Sequence, residues 1–155
     1  MWKDKFKEIL PLLGHRNWVL IVDKAFPLQS GAGMIYMDSQ SGITEVLSEV
    51  LGAIKASTHV KSIVYTDKEL QFLSQIDDKE AAMVASIENA LQGYEVKSML
   101  HDDVFGKIDA ASQLFKTVVI KTESDIAYSS VFIELDCGYW SEEKEMKLRK
   151  LMSHE

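Results

Sequence analysis

The sequence holds one cysteine, two prolines and no apolar run approaching the ~20 residues that a membrane helix needs. A single thiol, Cys137, excludes an internal disulfide or a zinc cluster. Lying in the apolar run "VFIELDCGYW", it reads as a buried structural side chain. Basic tracts are missing too. The lysines are scattered and the formal net charge is −7, so nucleic acid and anionic membrane surfaces are not expected partners. The opening "MWKDKFKEIL" carries charges throughout and lacks the apolar core of a signal peptide, which makes the cytoplasm the expected location. There is no G-x-x-x-x-G-K-[ST], no G-x-G-x-x-G after a strand and no H-E-x-x-H. The histidines at 15, 59, 101 and 154 lack metal-ligand spacing, and "SGAG" precedes a strand rather than a helix. No metal and no nucleotide cofactor is expected.

What is present is the composition of a soluble globular chain: 155 residues, 46% hydrophobic and 26% charged, enough for one compact domain. "WKDKFKEILPLL" places Trp2, Phe6, Ile9, Leu10 and Leu13 on one helical face, with Pro11 bending or ending the helix. "WVLIVD" is the continuous apolar pattern of a strand covered on both faces. A Gly/Ser-rich loop, "FPLQSGAG", leads to a short strand in "MIYMD". "GITEVLSEVLGAIKAS" spaces its apolar residues at three and four, as an amphipathic helix does. "HVKSIVYT" is a strand, and "TDKE" after it reads as a capping box opening a helix through Leu73. "DDKEAAMVASIENAL" is a capped helix ended by Gly93. The strand "YEVKSML", a helix over 102–112, strands in "FKTVVIKT" and "SVFIELD" and a charged helix "SEEKEMKLRKLM" complete the chain. Alternating strands and helices predict an α/β fold, one central sheet with helices on both faces. No repeat or linker divides residues 1–155.

Polar residues gather at strand ends, where α/β sheets collect ligands. His15 precedes the first strand and Asp23 ends it; His101 follows "YEVKSML"; Tyr128, Ser129 and Ser130 precede the last strand. Each has an ordinary reading as well. A loop histidine is more often solvated than catalytic, Asp23 can cap a turn, and Asp102-Asp103 suit the start of a helix. An extended chain at roughly 3.3 Å per residue puts His15 ~20 Å or more from Asp23. They share a pocket only if the chain folds back or the pocket joins two copies, which points to an oligomer.

In order along the chain, "LGH", "DKAFP" (D-x-x-x-P), "ITEVLSEVLGAI", "VKSIVYT", "HDDVFGKIDAA" and "AYSSVFIELDCG" resemble the RbsD/FucU family of ribose pyranases and fucose mutarotases. The resemblance runs from about Leu10 to Gly138. It implies a three-layer αβα subunit, assembled into ring-like homo-oligomers with sites between neighbours. The implied activity is cofactor-independent interconversion of anomers or ring forms of an unphosphorylated monosaccharide such as ribose or fucose. By position, His15 matches the family's catalytic histidine, Asp23 and His101 match sugar-binding positions, and Tyr128 heads a motif usually written Tyr-Ala/Gly-Asn. Here the motif is Tyr128-Ser129-Ser130, with a shorter hydroxyl in place of the asparagine amide. Lys24 replaces a small residue beside Asp23, where it can pair with Asp23 or reshape the pocket. The charged segment 139–155 extends past the family's usual end.

The implied chemistry suits these residues. Opening a hemiacetal removes the anomeric proton while protonating the ring oxygen. Imidazole, with an unperturbed pKa of about 6.5, gives and takes protons near neutral pH. Asp23 would accept sugar hydroxyls and Tyr128 would donate, with Ser129 and Ser130 lining the pocket. Two alternatives stay open: a non-catalytic sugar-binding or regulatory subunit of the same fold, and a phosphocarrier using His15, for which Arg16 is the one strong basic neighbour.

Overall fold

Trp18–Val22 (β1) is buried along its whole length, as a run of large apolar residues must be when both of its faces are covered. The computed structural model, which describes residues 1–154, sets β1 among β2 (Met34–Asp38), β3 (Val60–Asp67), β4 (Val96–Met99), β5 (Thr117–Lys121) and β6 (Val131–Cys137). The sheet order is β2-β5-β1-β6-β3-β4. β1 and β2 each run parallel to β5, and β3 parallel to β4. β6 is inserted antiparallel between β1 and β3. The carboxyl ends of β1 to β5 therefore share one edge of the sheet with the amino end of β6.

The helices are α1 (Trp2–Ile9), α2 (Ile43–Ala56), α3 (Asp78–Ala90), α4 (His101–Ser112) and α5 (Glu142–Met152). The apolar stripe of α2 is buried from Ile43 to Ile54. With Trp2 and Phe6 of α1 and Val84 and Ile87 of α3, it covers Val19 and Ile21 of β1. Because side chains alternate along a strand, Trp18, Leu20 and Val22 face the other way, into a cluster with Val104 and Ile108 of α4. The expected αβα layering is observed, with α4 covering the second face.

As Pro11 predicts, α1 ends at Ile9 and the chain continues as a 3₁₀ turn over Leu10–Leu12. Two local expectations change. "TDKE" is not a capping box. Thr66 and Asp67 stay in β3, no side chain caps the next segment, and Lys68–Gln75 winds as a 3₁₀ helix. The two acids are taken up elsewhere, as described below. Cys137 is only half-buried, because it lies where β6 leaves the sheet. The cap on α3 is made by Asp77, which accepts from the Lys79 and Glu80 amides. Among the described residues, no helix is long and apolar enough to cross a membrane.

Beyond β6 the chain turns sharply at Gly138, whose N–H donates to the His59 carbonyl at 2.9 Å. A Cβ there would strike the Thr58 carbonyl oxygen and lie 2.8 Å from the Val60 nitrogen. Both obstacles are backbone and cannot swing aside. Gly138→Ala is expected to cost about 1–3 kcal/mol, read as a lower urea midpoint at unchanged slope.

Candidate functional site

The β1–β6 pairing positions the first part of the site. Ile21 of β1 lies opposite Val131 of β6, so the residue after β1, Asp23, meets the residue before β6, Ser130. The Ser130 hydroxyl donates to Asp23 Oδ1 at 2.7 Å and accepts from the Asp23 N–H at 3.0 Å. This buried hydroxyl is spent on orienting the carboxylate. Ser129 is fully buried as well. Its hydroxyl donates to the Ile126 carbonyl at 2.7 Å and lies 2.8 Å from Ser124 Oγ. Both serines, expected to line a pocket, have their hydroxyls bonded within the protein: Ser129 shapes the loop and Ser130 holds Asp23. Tyr128 sits at φ +63°, a left-handed conformation that costs a non-glycine residue energy. Its side chain is exposed, with its ring edge-on to His101 at 5.3 Å.

His101 is the first residue of α4, not a loop residue, and its amide is one that the helix itself cannot satisfy. Glu69 supplies the missing acceptor, taking the His101 N–H at 3.0 Å through Oε1. The imidazole Nδ1 lies 2.7 Å from Asp67 Oδ2, and Nε2 has no hydrogen-bond partner among the described residues. Phe105, one turn along α4, packs against the ring at 4.6 Å.

Asp67 and Glu69 were not among the residues expected from sequence. Asp67 is 1% exposed, and its Oδ1 has no partner among the described residues. Its carboxyl is raised to about 6, chiefly by burial; the His101 bond opposes that rise, and the Glu69 and Asp23 charges add to it. The only signal available beforehand was an acid at a strand end. Its partner lies 34 positions away. Lys24 does not pair with Asp23: its Nζ donates to Glu123 at 2.9 Å.

His15 stands at the opposite edge of the sheet. It occupies a turn before β1 in which the Gly14 N–H donates to Asn17 Oδ1 at 2.7 Å and Arg16 takes φ +75°. Its Nδ1 lies 3.0 Å from Asp136 Oδ1, near the end of β6, and the side chain is 56% exposed. It opens onto a groove of about 850 Å³ lined also by Lys61, Lys97, Trp140 and Glu145. Arg16 lies instead over the Phe115 ring, so the basic neighbour that the phosphoacceptor alternative relied on is engaged elsewhere, and the His15 ring faces the Asp136 carboxylate. The intervening strand is paired in unbroken register on both sides. The chain does not fold back to join His15 with Asp23. No group of three or more His, Cys, Asp or Glu side chains among the described residues is placed to hold a metal ion.

The chain matches the RbsD / FucU transport protein family over residues 3–138. Its fold is similar to that of Bacillus subtilis RbsD, solved in complex with D-ribose. The TM-score is 0.58 at 18% identity, over 85% of this chain and 91% of that one. FucU from Bifidobacterium longum superposes with a TM-score of 0.55 at 16% identity, over 86% and 94% of the two chains. The fucose mutarotase of Streptococcus pneumoniae, solved with L-fucose, gives 0.53 at 15% identity, over 85% and 91%. No curated protein matches the chain in sequence.

Removing the hydroxyl that holds Asp23 leaves a part-buried N–H without its acceptor and frees the carboxylate. Ser130→Ala is expected to lose about 1–3 kcal/mol of stability, measurable by urea unfolding.

Proposed function

The chain belongs to the RbsD/FucU family, and we propose that it is a cofactor-independent mutarotase or pyranase of an unphosphorylated monosaccharide. The observation that carries this reading is the convergence of Asp23, His101 and Tyr128 where strand direction reverses across β1, β6 and β3. Crevices beyond the carboxyl ends of parallel strands are where α/β sheets bind ligands. An anchored carboxylate accepts sugar hydroxyls, a phenol donates to a ring or exocyclic oxygen, and an imidazole does either. Asp23, Asp67 and Glu69 make this edge acidic, which favours a neutral polyol over a phosphorylated sugar. That similar folds have been solved with D-ribose and L-fucose supports the same ligand class.

His15 is the proton carrier of this reading. It takes the anomeric proton or protonates the ring oxygen, and closure of the ring returns the proton. General acid–base catalysis of this kind contributes about 10²–10⁴-fold. Since one chain holds His15 and Asp23 at opposite edges, the site is shared: His15 of one subunit completes the Asp23 edge of the next in a ring-like homo-oligomer. Ser129 and Ser130 serve the sugar indirectly, through the loop and through Asp23. One observation favours the non-catalytic sugar-binding alternative. The Ser130 hydroxyl is already committed to Asp23, so it does not replace the amide of the family motif.

Magnetisation-exchange NMR on a panel of aldoses separates the two readings. Wild-type protein is expected to accelerate exchange, and folded His15→Ala to lose about 10²-fold or more of it. Sugar binding without exchange would select the binding-only alternative. Co-expressing His15→Ala with Asp23→Ala tests the shared site. Mixed assemblies are expected to regain activity in about a quarter of sites, because some interfaces pair two intact residues. No recovery would place the whole site within one chain.

A further inference from the structure

Ring opening moves two protons, and a single imidazole accounts for one of them. We propose that His101 is the second proton carrier of this sugar site, with the buried Asp67 as its positioning residue. The inference rests on the mutarotase reading and deepens it.

The geometry carries it. A carboxylate 2.7 Å from Nδ1 takes the Nδ1 hydrogen and leaves the lone pair on Nε2, the nitrogen with no protein partner. Phe105 and Tyr128 meet the ring at 4.6 and 5.3 Å and fix its plane. Glu69 caps the helix that begins at His101, so the backbone beneath the ring is fixed as well. The histidine side chain is 31% exposed while that of Asp67 is fully enclosed. One partner is thus open to a ligand and the other is not. Asp67 Oδ1 receives no compensating bond, so the carboxylate is worse satisfied than a purely structural acid would be. Glu69 and Asp23 lie close enough to Asp67 for their charges to raise its carboxyl further.

The step balances. His101 Nε2 accepts the anomeric O–H proton, and the electron pair of that bond forms the carbonyl. The bond from the anomeric carbon to the ring oxygen breaks, its electrons going to that oxygen, which takes a proton from His15. After the carbonyl turns over, or another hydroxyl attacks, His15 recovers a proton from the attacking hydroxyl. His101 returns its proton to the carbonyl oxygen, and both groups are restored.

Long-range ¹H–¹⁵N NMR of wild-type protein at mildly alkaline pH should find neutral His101 with hydrogen on Nδ1; hydrogen on Nε2 would overturn the assignment. His101→Gln keeps a polar contact but cannot take up and return a proton, and should lower kcat by about 10²-fold or more with KM within about threefold. Asp67→Asn should lower kcat comparably and move the tautomer toward Nε2–H, which a merely structural role would not do. Full turnover by folded His101→Gln, where His15→Ala is inactive, would sink this inference and leave the mutarotase reading standing. Absence of exchange by wild-type protein would remove both.

Discussion

A fully buried strand, paired along both edges, sets which of this chain's polar residues can meet. β1 is apolar on both sides because α2 covers one face and α4 the other. Its hydrogen bonds are taken by β5 and β6. Such a strand cannot bend without exposing apolar surface or stranding backbone groups in the core. Five residues at about 3.3 Å each then hold apart whatever flanks them. His15 and Asp23 flank it, and everything proposed about shared sites follows from that separation. The same strand places Asp23 where β6 begins, so rigidity that divides one pair of residues assembles another.

The carboxyl edge is crowded with acids, and each is managed differently. Asp23 is held by the Ser130 hydroxyl. Glu69 accepts the first amide of α4, a placement that also suits the positive end of a helix. Asp125 leans outward to Lys79 at 2.6 Å, which holds its carboxyl below the ordinary value. Asp67 alone is enclosed, and its single partner is a histidine. At the other edge, α5 buries no side chain. It is tethered through the Trp140 carbonyl, which accepts from Lys61, and through Glu145, which accepts from Trp140 Nε1. The extension walls the groove before His15 without joining the core.

Much of this architecture was legible in the sequence, because periodicity reports burial. The unbroken run of β1, the three-and-four spacing of α2 and the capped start of α3 were read in the sequence as they stand in the structure. The resemblance located Asp23, His101 and Tyr128, which the fold brings to one edge. The misreadings share a cause. "TDKE" has the letters of a capping box, but tertiary partners claimed both acids, Asp67 for the His101 ring and Glu69 for the His101 amide. For Ser129 and Ser130, which follow Tyr128 in the family motif, the sequence does not show how deeply they are enclosed. Their burial depends on a loop whose packing no local pattern records. Asp67 could not be singled out at all, since an acid ending a strand becomes significant only when a histidine 34 positions away folds onto it.

The energetics of Asp67 argue that its burial serves something besides stability. Its folded-state pKa is raised, so the fold favours the protonated acid. That contribution is present below the unfolded value near 3.9 and is lost as pH rises through about 6. At neutral pH the enclosed carboxylate is therefore a cost, offset only in part by the His101 bond. A neutral side chain of similar volume would be expected to relieve it, as apolar replacements often do for buried charges. Strained or poorly satisfied groups cluster where a site needs them. Here the cost falls beneath the one exposed imidazole nitrogen on the acidic edge, beside a tyrosine held at positive φ. Two unfavourable local states, a buried carboxylate and a left-handed tyrosine, meet at one histidine. That coincidence is what singles out the carboxyl edge in the proposed reading.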